Sequence, residues 1–289
     1  MKFRSLIVAA VDRAEDSGNP MATERNHYLP QFYLKAFLAQ NDPKLFWVYD
    51  KKQNAFRPQT PINTGIERHL YNLENPDGTF DDSLETQVFT PIETASKPVI
   101  DRILGPNTRL VPDDIETLAW FLAFMATRVP RSIRATQEIG AALTVHRALD
   151  LAKKPDRIEE IFNALKQQGK IDSDITVAEA QKFLETIEQN FKISINEKFA
   201  MAMSLLMTHE VCLQLLEMNW CLCRAPSGSY FICSDTPLVS FVLDDDGRAA
   251  FGGGLSLPSV QVTFPISSAK CLCLDRKHTQ HYRAVNKTV

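Results

Sequence analysis

The strongest constraint on the fold is a segment in the middle of the chain that is apolar on nearly every side. A Pro-Asp-Asp sequence at 112–114, suited to the first turn of a helix, precedes 115–126, where the residues are almost all apolar after the first turn. A helix of that composition is normally buried at the centre of a larger core. The sequence therefore predicts a central helix around which the other elements pack.

Helical patterns and strand patterns occupy separate blocks of the chain. A short helix is predicted at 28–37 and a strand at 45–50, and then helices dominate from 81 to 216. β-rich runs follow from Trp220 onward. Contiguous blocks favour an α+β fold over alternating βαβ units. We expect a helical body joined to a C-terminal antiparallel sheet, with the 28–37 helix at their junction. The expected later helices are 132–152, 157–168, 177–191 and 195–216, and the expected strands are 220–224, 230–233, 238–243, 260–264 and 270–274.

One α+β domain is predicted over 26–289, helical at 81–216 and strand-rich at 220–275. Residues 1–25 are expected to be a disordered N-terminal extension, because Met21 resembles a second start. No run reaches the ~20 apolar residues of a membrane span, and charged residues interrupt the apolar N-terminus before a signal core develops. We expect a cytoplasmic protein without a membrane partner.

The chain has 289 residues, 44% of them hydrophobic, and a formal net charge of −3. That charge argues against a broad basic footprint for duplex DNA, although a local basic cleft stays open. All six cysteines lie in the last third, and two pairs are spaced i, i+2. Zinc is one interpretation, but structural zinc pairs usually sit two to four residues apart on turns, so small core side chains are the favoured one.

Residues 26–37 place hydrogen-bonding side chains at the start of an apolar helix. His27 and Gln31 lie four residues apart there, where backbone N–H groups and the positive end of the helix dipole favour an anion. His27 is thus a candidate acid, base or phosphate ligand. The alternative is that Asn26 and His27 only cap the helix.

Two arginines directly follow the central helix. Arg128 and Arg131 would share a face if the helix continued through a kink at Pro130, and two guanidinium groups suit phosphate or carboxylate recognition. The alternative is an ion pair of either arginine with an acidic residue of the helical region. The candidates are Glu85, Glu93 and Glu116.

Asp235 follows the predicted strand 230–233, and a strand end is a usual place for a catalytic carboxylate. A turn before Pro237 is the plainer interpretation. Glu85 and Glu93 are eight residues apart, roughly one helix face, and are candidate metal or arginine partners, although a solvated helix face is the favoured interpretation. No glycine-rich nucleotide loop, P-loop, zinc-protease or nucleophile-elbow motif is present in the sequence. The residues therefore identify neither a cofactor nor a bound metal.

Four segments together resemble the mostly microbial family catalogued as domain of unknown function 4238. The resemblance runs from about Asn26 to the end, and the family lends no established activity. Its members usually continue past a point resembling Asn286 into one more helix, which implies a truncated C-terminus here. Its polar positions would be His27, Gln31, Arg128, Arg131 and Asp235. The segments are 27–37, 128–131, 231–237 and 264–267.

Two functions stay open at this point. The first is an enzyme acting on a phosphate-bearing substrate, such as a nucleic-acid-directed hydrolase, a nuclease or a phage-defence or toxin-type effector. In it His27, Gln31 and Asp235 would be catalytic, and Arg128 and Arg131 would bind substrate. The second is a binding or interaction module in which the same residues form a structural polar network, and the amphipathic 172–196 segment contacts a partner.

Overall fold

The structure is a computed structural model that describes residues 24–39, 41–74, 79–106, 109–171, 174–244, 246 and 248–276. The chain divides into two compact units. One comprises the described parts of Met1–Ser132 and Met201–Val289, and the other is Ile133–Ala200. The prediction of a disordered extension at 1–25 lies outside the described residues except at 24 and 25, and Arg25 is the first residue of a short strand. The prediction of a truncated end after Asn286 also lies outside the described residues. The prediction of one domain over 26–289 stays a prediction.

Helices and strands fall into separate blocks, so the α+β class is confirmed. The helices are α1 (Gln31–Lys35), α2 (Thr90–Leu104), α3 (Pro112–Thr127), α4 (Pro130–Ala152), α5 (Pro155–Gln167), α6 (Val177–Glu185), α7 (Ile187–Asn190), α8 (Glu197–Leu206) and α9 (Thr208–Leu216). The strands are β1 (Arg25–His27), β2 (Phe46–Asp50), β3 (Ala55–Gln59), β4 (Ile66–Arg68), β5 (Leu73–Glu74), β6 (Phe80–Asp81), β7 (Asn219–Arg224), β8 (Val239–Leu243), β9 (Ala249–Phe251), β10 (Val260–Pro265) and β11 (Lys270–Asp275).

The central helix is α3, as predicted. Leu118, Leu122 and Met125 are completely buried, and α2 and α9 pack against the helix. Its N-terminus is held by Asp114, whose carboxylate accepts a hydrogen bond from the Val111 backbone N–H at 2.7 Å. The first unit thus has a helix-on-helix core centred on α3.

The C-terminal sheet has five strands in the order β7-β11-β10-β8-β9, and every neighbouring pair is antiparallel. Alternate residues of β7 and β10 are buried, which is the pattern of a sheet with one face on a core. The buried face carries large apolar side chains that pair across the strands. Leu272 of β11 lies opposite both Leu222 of β7 and Phe264 of β10. This block confirms the predicted antiparallel sheet.

Helix α1 lies between the helical core and this sheet, as predicted. Tyr33 is fully buried, packs on Phe264 of β10 and donates a hydrogen bond to the Pro265 carbonyl at 2.8 Å. Phe32 packs on Phe121 of α3 at a ring-centroid distance of 5.8 Å. The helix is shorter than predicted and ends at Lys35, because the next residues form i→i+3 turns, with the Ala36 N–H bonded to the Tyr33 carbonyl.

The predicted strand at 230–233 is wrong. The Phe231 N–H donates to the Ser268 carbonyl, but a continuous ladder does not form along this described segment, and Tyr230 and Ile232 are 65% and 83% exposed. The apolar residues at 230–233 suggested a strand, but a short apolar run is not enough to place a segment in a sheet. Two predicted helices also divide, 177–191 at Thr186 and 195–216 at Met207.

The predicted helix that begins near Asp81 starts instead as a π-helix at Leu84–Phe89, directly before α2. Among the described helices, the stretch Glu197–Leu216 is long and apolar enough to cross a membrane. It meets that test by length and composition, which the core helix of a soluble protein also passes.

The second unit, Ile133–Ala200, is made of helices within the described residues. Thr176 caps α6 by accepting a hydrogen bond from the Glu179 N–H, and the Glu179 carboxylate accepts one from the Thr176 N–H in return. Gln137 on α4 donates to the Ile195 carbonyl. This unit contains the charged amphipathic segment 172–196, which was predicted to contact a partner.

Candidate functional site: a buried arginine–carboxylate cluster

His27 is the last residue of strand β1, not part of a helix start, which corrects the predicted position. Strand β1 pairs antiparallel with β4, His27 opposite Ile66. The chain then turns, and the Tyr28 N–H donates to the Gly65 carbonyl at 2.8 Å. Gly65 has a φ of +68°, and a Cβ there would lie 2.8 Å from the Leu29 Cβ. Residue 65 therefore has to be glycine, because its positive φ and its close approach to Leu29 leave no room for a Cβ.

Asn26, the neighbour of His27 in β1, is completely buried and bonds to two other segments. Its amide Nδ2 donates to the Glu85 carboxylate at 2.6 Å, and its Oδ1 accepts from the Tyr71 N–H at 3.3 Å. Asn26 therefore does not cap a helix. It joins β1 to the π-helix and to the chain after β4.

Arg128 occupies the C-cap position of α3 and is only 2% exposed. Its Nε donates to the Tyr28 carbonyl at 3.0 Å, and its Nη1 donates to the Glu93 carboxylate at 2.8 Å. The guanidinium carbon also lies 5.3 Å from the centre of the Phe89 ring, within the range of a cation–π contact. The guanidinium of this arginine is thus held by partners from several segments.

Tyr71 completes the enclosure of Arg128. Its hydroxyl donates to the Arg128 carbonyl at 2.8 Å, and its ring packs edge-on against Phe89 at 4.6 Å. The hydroxyl satisfies a carbonyl at the C-terminal end of α3, where intrahelical partners run out. Burial raises the pKa of Tyr71 far above the usual tyrosine value, so it stays a neutral hydrogen-bond donor.

The two carboxylates of the cluster, Glu85 and Glu93, come from the π-helix and from α2. At Glu85 the helix makes an i→i+5 bond, from the Thr90 N–H to the Glu85 carbonyl, which is the π-helical pattern. Burial raises the pKa of Glu85, although its bond from Asn26 acts in the other direction. Glu93 is 29% exposed and forms the ion pair with Arg128.

His27 lies at the edge of this cluster and is half-buried. Its Nε2 lies 3.3 Å from the Ile62 carbonyl. Burial lowers the pKa of His27 first of all; the Ile62 carbonyl raises it by less, and Arg25, Glu93 and Arg128 contribute electrostatically. Its imidazole is therefore neutral over a wider pH range than that of a free histidine.

The structure does not bring the five predicted site residues together. Arg131 is exposed whereas Arg128 is buried, because α3 ends at Thr127 and α4 begins afresh at Pro130, so the two do not share a face. Asp235 is exposed beside Cys233, whose thiol contacts Tyr33, and it does not follow a strand. Gln31 is half-buried at the start of α1. Of the five, His27 and Arg128 are the two that the described contacts and electrostatic interactions place in the cluster.

Sequence reasoning proposed the Arg128–Glu93 pair as an alternative but missed Tyr71 and Phe89. Both residues are far from Arg128 in the chain. Tyr71 lies in an irregular segment, which gives no periodic signal, and Phe89 is the last residue of the π-helix. The His-Leu-Tyr-Asn sequence at 69–72 could have been noticed as an apolar–polar cluster, but nothing in it points to Arg128.

The cluster combines one cation with two carboxylates, so its formal charge is negative when both are ionised. Within the described residues, no group of three or more histidine, cysteine, aspartate or glutamate side chains is placed to hold a metal ion. Burial shifts the pKa of His27 downward and that of Glu85 upward. Either group can exchange a proton, whereas the Arg128 guanidinium is occupied by the Tyr28 carbonyl and the Glu93 carboxylate.

The chain belongs to the family described as protein of unknown function (DUF4238), whose model matches residues 25–287. That match confirms the resemblance seen in the sequence. The search of curated proteins found no match. The search of solved structures found none either.

Proposed function

We propose that this protein is a binding or interaction module in which the Arg128 cluster is a structural polar network. The observation that carries the proposal is the 2% exposure of Arg128 together with its ion pair to Glu93. A guanidinium that is to bind a phosphate group needs donors that face solvent or a cleft. Those of Arg128 point to the Tyr28 carbonyl and the Glu93 carboxylate.

The electrostatics of the cluster support the same proposal. A phosphate near Arg128 would also lie near the carboxylates of Glu85 and Glu93. Electrostatic repulsion between the phosphate and these carboxylates would be strong, because the site is largely shielded from water. Arg131, the second cation proposed for substrate, is exposed and lies on the helix after the one that Arg128 caps. A network that ties β1, the π-helix, α2 and α3 together explains each of these contacts without a ligand.

The second candidate is the enzyme acting on a phosphate-bearing substrate, and one observation favours it. Burial lowers the pKa of the half-buried His27 and raises that of Glu85, and shifted pKa values are common at functional sites. A hydrolase, nuclease or defence effector would use His27 as base, with Gln31 and Asp235 outside the cluster. Under either proposal we place the protein in the cytoplasm.

The substitution His27→Ala separates the two proposals. If the protein is a binding module, we expect the parent protein to turn over neither p-nitrophenyl phosphate nor a labelled oligonucleotide. We expect the variant to lose about 1 kcal/mol of stability, because the hydrogen bond between His27 and the Ile62 carbonyl is removed. Urea unfolding measures the stability, and the half-buried His209→Ala is the matched control. Turnover by the parent that disappears in His27→Ala at unchanged stability would overturn the module and establish the enzyme.

A further inference from the structure

The hairpin formed by β2 and β3 exposes an aromatic face. Tyr49 pairs with Phe56 and Trp47 pairs with Pro58 across the two antiparallel strands, so these four side chains share one face. Trp47 is 67% exposed, Phe56 71% and Tyr49 46%. The rings of Tyr49 and Phe56 lie 4.8 Å apart. We name these four residues the aromatic ridge.

The hairpin is ordered by its own turn. The Tyr49 hydroxyl donates to the Asn54 Oδ1 at 2.7 Å, and Asn54 has a φ of +50°. The Asp50 carboxylate accepts from the backbone N–H groups of Lys52 and Gln53. On the opposite face Phe46 is 9% exposed and anchors the hairpin. The ridge therefore presents rings in fixed positions, which limits the entropy lost on binding.

The same hairpin carries a surplus of positive charge. Between residues 42 and 59 there are four cations and two anions. Both anions, Asp42 and Asp50, accept hydrogen bonds from nearby backbone N–H groups. No ion pair joins any of the four cations to another described residue, and all four are exposed. The cations are Lys44, Lys51, Lys52 and Arg57.

From this juxtaposition we infer that the aromatic ridge binds single-stranded nucleic acid. Exposed rings stack on bases, and Lys51 and Lys52 in the turn at the end of the ridge neutralise phosphates, which is the combination used by sequence-tolerant single-strand binders. Arg57 pairs with Val48 and therefore lies on the opposite face of the hairpin. A duplex keeps its base faces stacked inside and offers the ridge only its backbone. The inference rests on the proposed function only in that the protein binds a partner rather than transforming it.

Tryptophan fluorescence gives a direct test, because Trp47 is the exposed one of the three tryptophans. Trp120 and Trp220 are 5% and 2% exposed. Titration with a mixed-sequence single-stranded oligonucleotide is expected to quench the Trp47 emission saturably, with DNA and RNA as separate arms and the matching duplex as comparison. Saturable quenching by the single strand, much weaker with the duplex, is the expected result.

Variants assign the binding to the ridge. Trp47→Ala and Phe56→Ala are each expected to weaken binding, followed by anisotropy of a labelled oligonucleotide, by about 5- to 150-fold, the range of one lost base stack. Phe251→Ala is the matched control, since Phe251 is 76% exposed on a strand of another sheet. For the double variant Lys51→Ala, Lys52→Ala, we expect the slope of log affinity against log salt concentration to become shallower by about 1.4. Each lost phosphate contact on a single strand contributes ~0.7 to that slope.

Several results would overturn the inference. They are absence of quenching, equal binding of duplex, equal loss in Phe251→Ala, or concentration-dependent self-association through the ridge in place of oligonucleotide binding. These results differ from those expected if the proposed function is wrong. In that case the parent protein would cleave the oligonucleotide, and the oligonucleotide would still quench the Trp47 emission.

Discussion

At the residue scale, the Arg128 guanidinium shows how one buried cation fixes the position of several chain segments. It bonds to the backbone after β1 and to a carboxylate on α2, and it lies over Phe89 of the π-helix. Burying a cation is costly unless it is paired and hydrogen-bonded. Each contact therefore stabilises the cluster and also restricts where β1 can lie.

Glu85 leads to a pH prediction at this scale. Burial raises its pKa in the folded protein, so the stability linked to its proton is fully present below the ordinary value of 4.5 and is lost as the pH rises through the raised pKa. Glu85→Gln stays neutral and keeps an oxygen for the Asn26 bond. We expect the free energy of unfolding of the parent to fall more steeply with rising pH than that of the variant.

Urea unfolding from about pH 4 to about pH 8 measures this difference. The exposed Glu116→Gln, on α3, is the control and is expected to follow the parent. Parallel stability curves for the parent and Glu85→Gln would show that Glu85 is solvated like an ordinary glutamate.

The sequence allowed part of this cluster to be predicted. A buried-helix end followed by arginine, with glutamates on nearby helices, made the Arg128–Glu93 pair a natural alternative. The position of His27 in a strand was not predictable, because β1 has three residues and its partner β4 lies about forty residues further along. Long-range pairing of short strands leaves no periodic pattern.

At the element scale, the C-terminus of α2 is held by a lysine from the sheet. Lys270 on β11 is 8% exposed, and its Nζ donates to the carbonyls of Ile103, Leu104 and Gly105 at 2.7, 2.9 and 2.9 Å. These carbonyls lack intrahelical partners, and a cation also suits the negative end of the helix dipole. One side chain thus fastens the helical core to the sheet.

Lys270→Met is expected to lower the free energy of unfolding by about 2–3 kcal/mol, because it leaves buried carbonyls without donors while keeping most of the apolar stem. Chemical unfolding measures the loss. Lys97→Met is the matched control on the exposed side of α2, where an i, i+4 pair with Asp101 contributes little. A loss no larger than that of the control would contradict the capping role of Lys270.

Elements with a strong pattern were predicted well and short ones were not. Helix α3 was predicted within a few residues, because a long all-apolar segment has few alternatives. The segment 230–233 had the same β-rich composition as the true strands, but only tertiary pairing decides which apolar runs join a sheet. Lys270 gave no signal either, since its role depends on a helix about 165 residues away.

At the scale of the whole molecule, the first unit is a helical core and an antiparallel sheet joined by α1 and Lys270. The Arg128 cluster lies within this unit and connects β1 to the helices. The aromatic ridge belongs to the same unit and projects its rings to solvent. The first unit thus contains a buried polar network around Arg128 and an exposed aromatic ridge.

A double-mutant cycle on Arg128 and Glu93 measures whether the Arg128 cluster stabilises the fold. Glu93→Ala leaves a buried guanidinium without its carboxylate and is expected to lower the free energy of unfolding by about 3–5 kcal/mol. Arg128→Met is expected to cost less, about 2 kcal/mol, because Glu93 is partly exposed and can be hydrated.

Urea unfolding of the parent, both single variants and the double variant gives the coupling energy between the two side chains. A structural network predicts that the double variant loses less than the sum of the single losses, by at least about 1 kcal/mol. Single losses within about 0.5 kcal/mol of the parent, with no coupling, would contradict the structural role of the cluster.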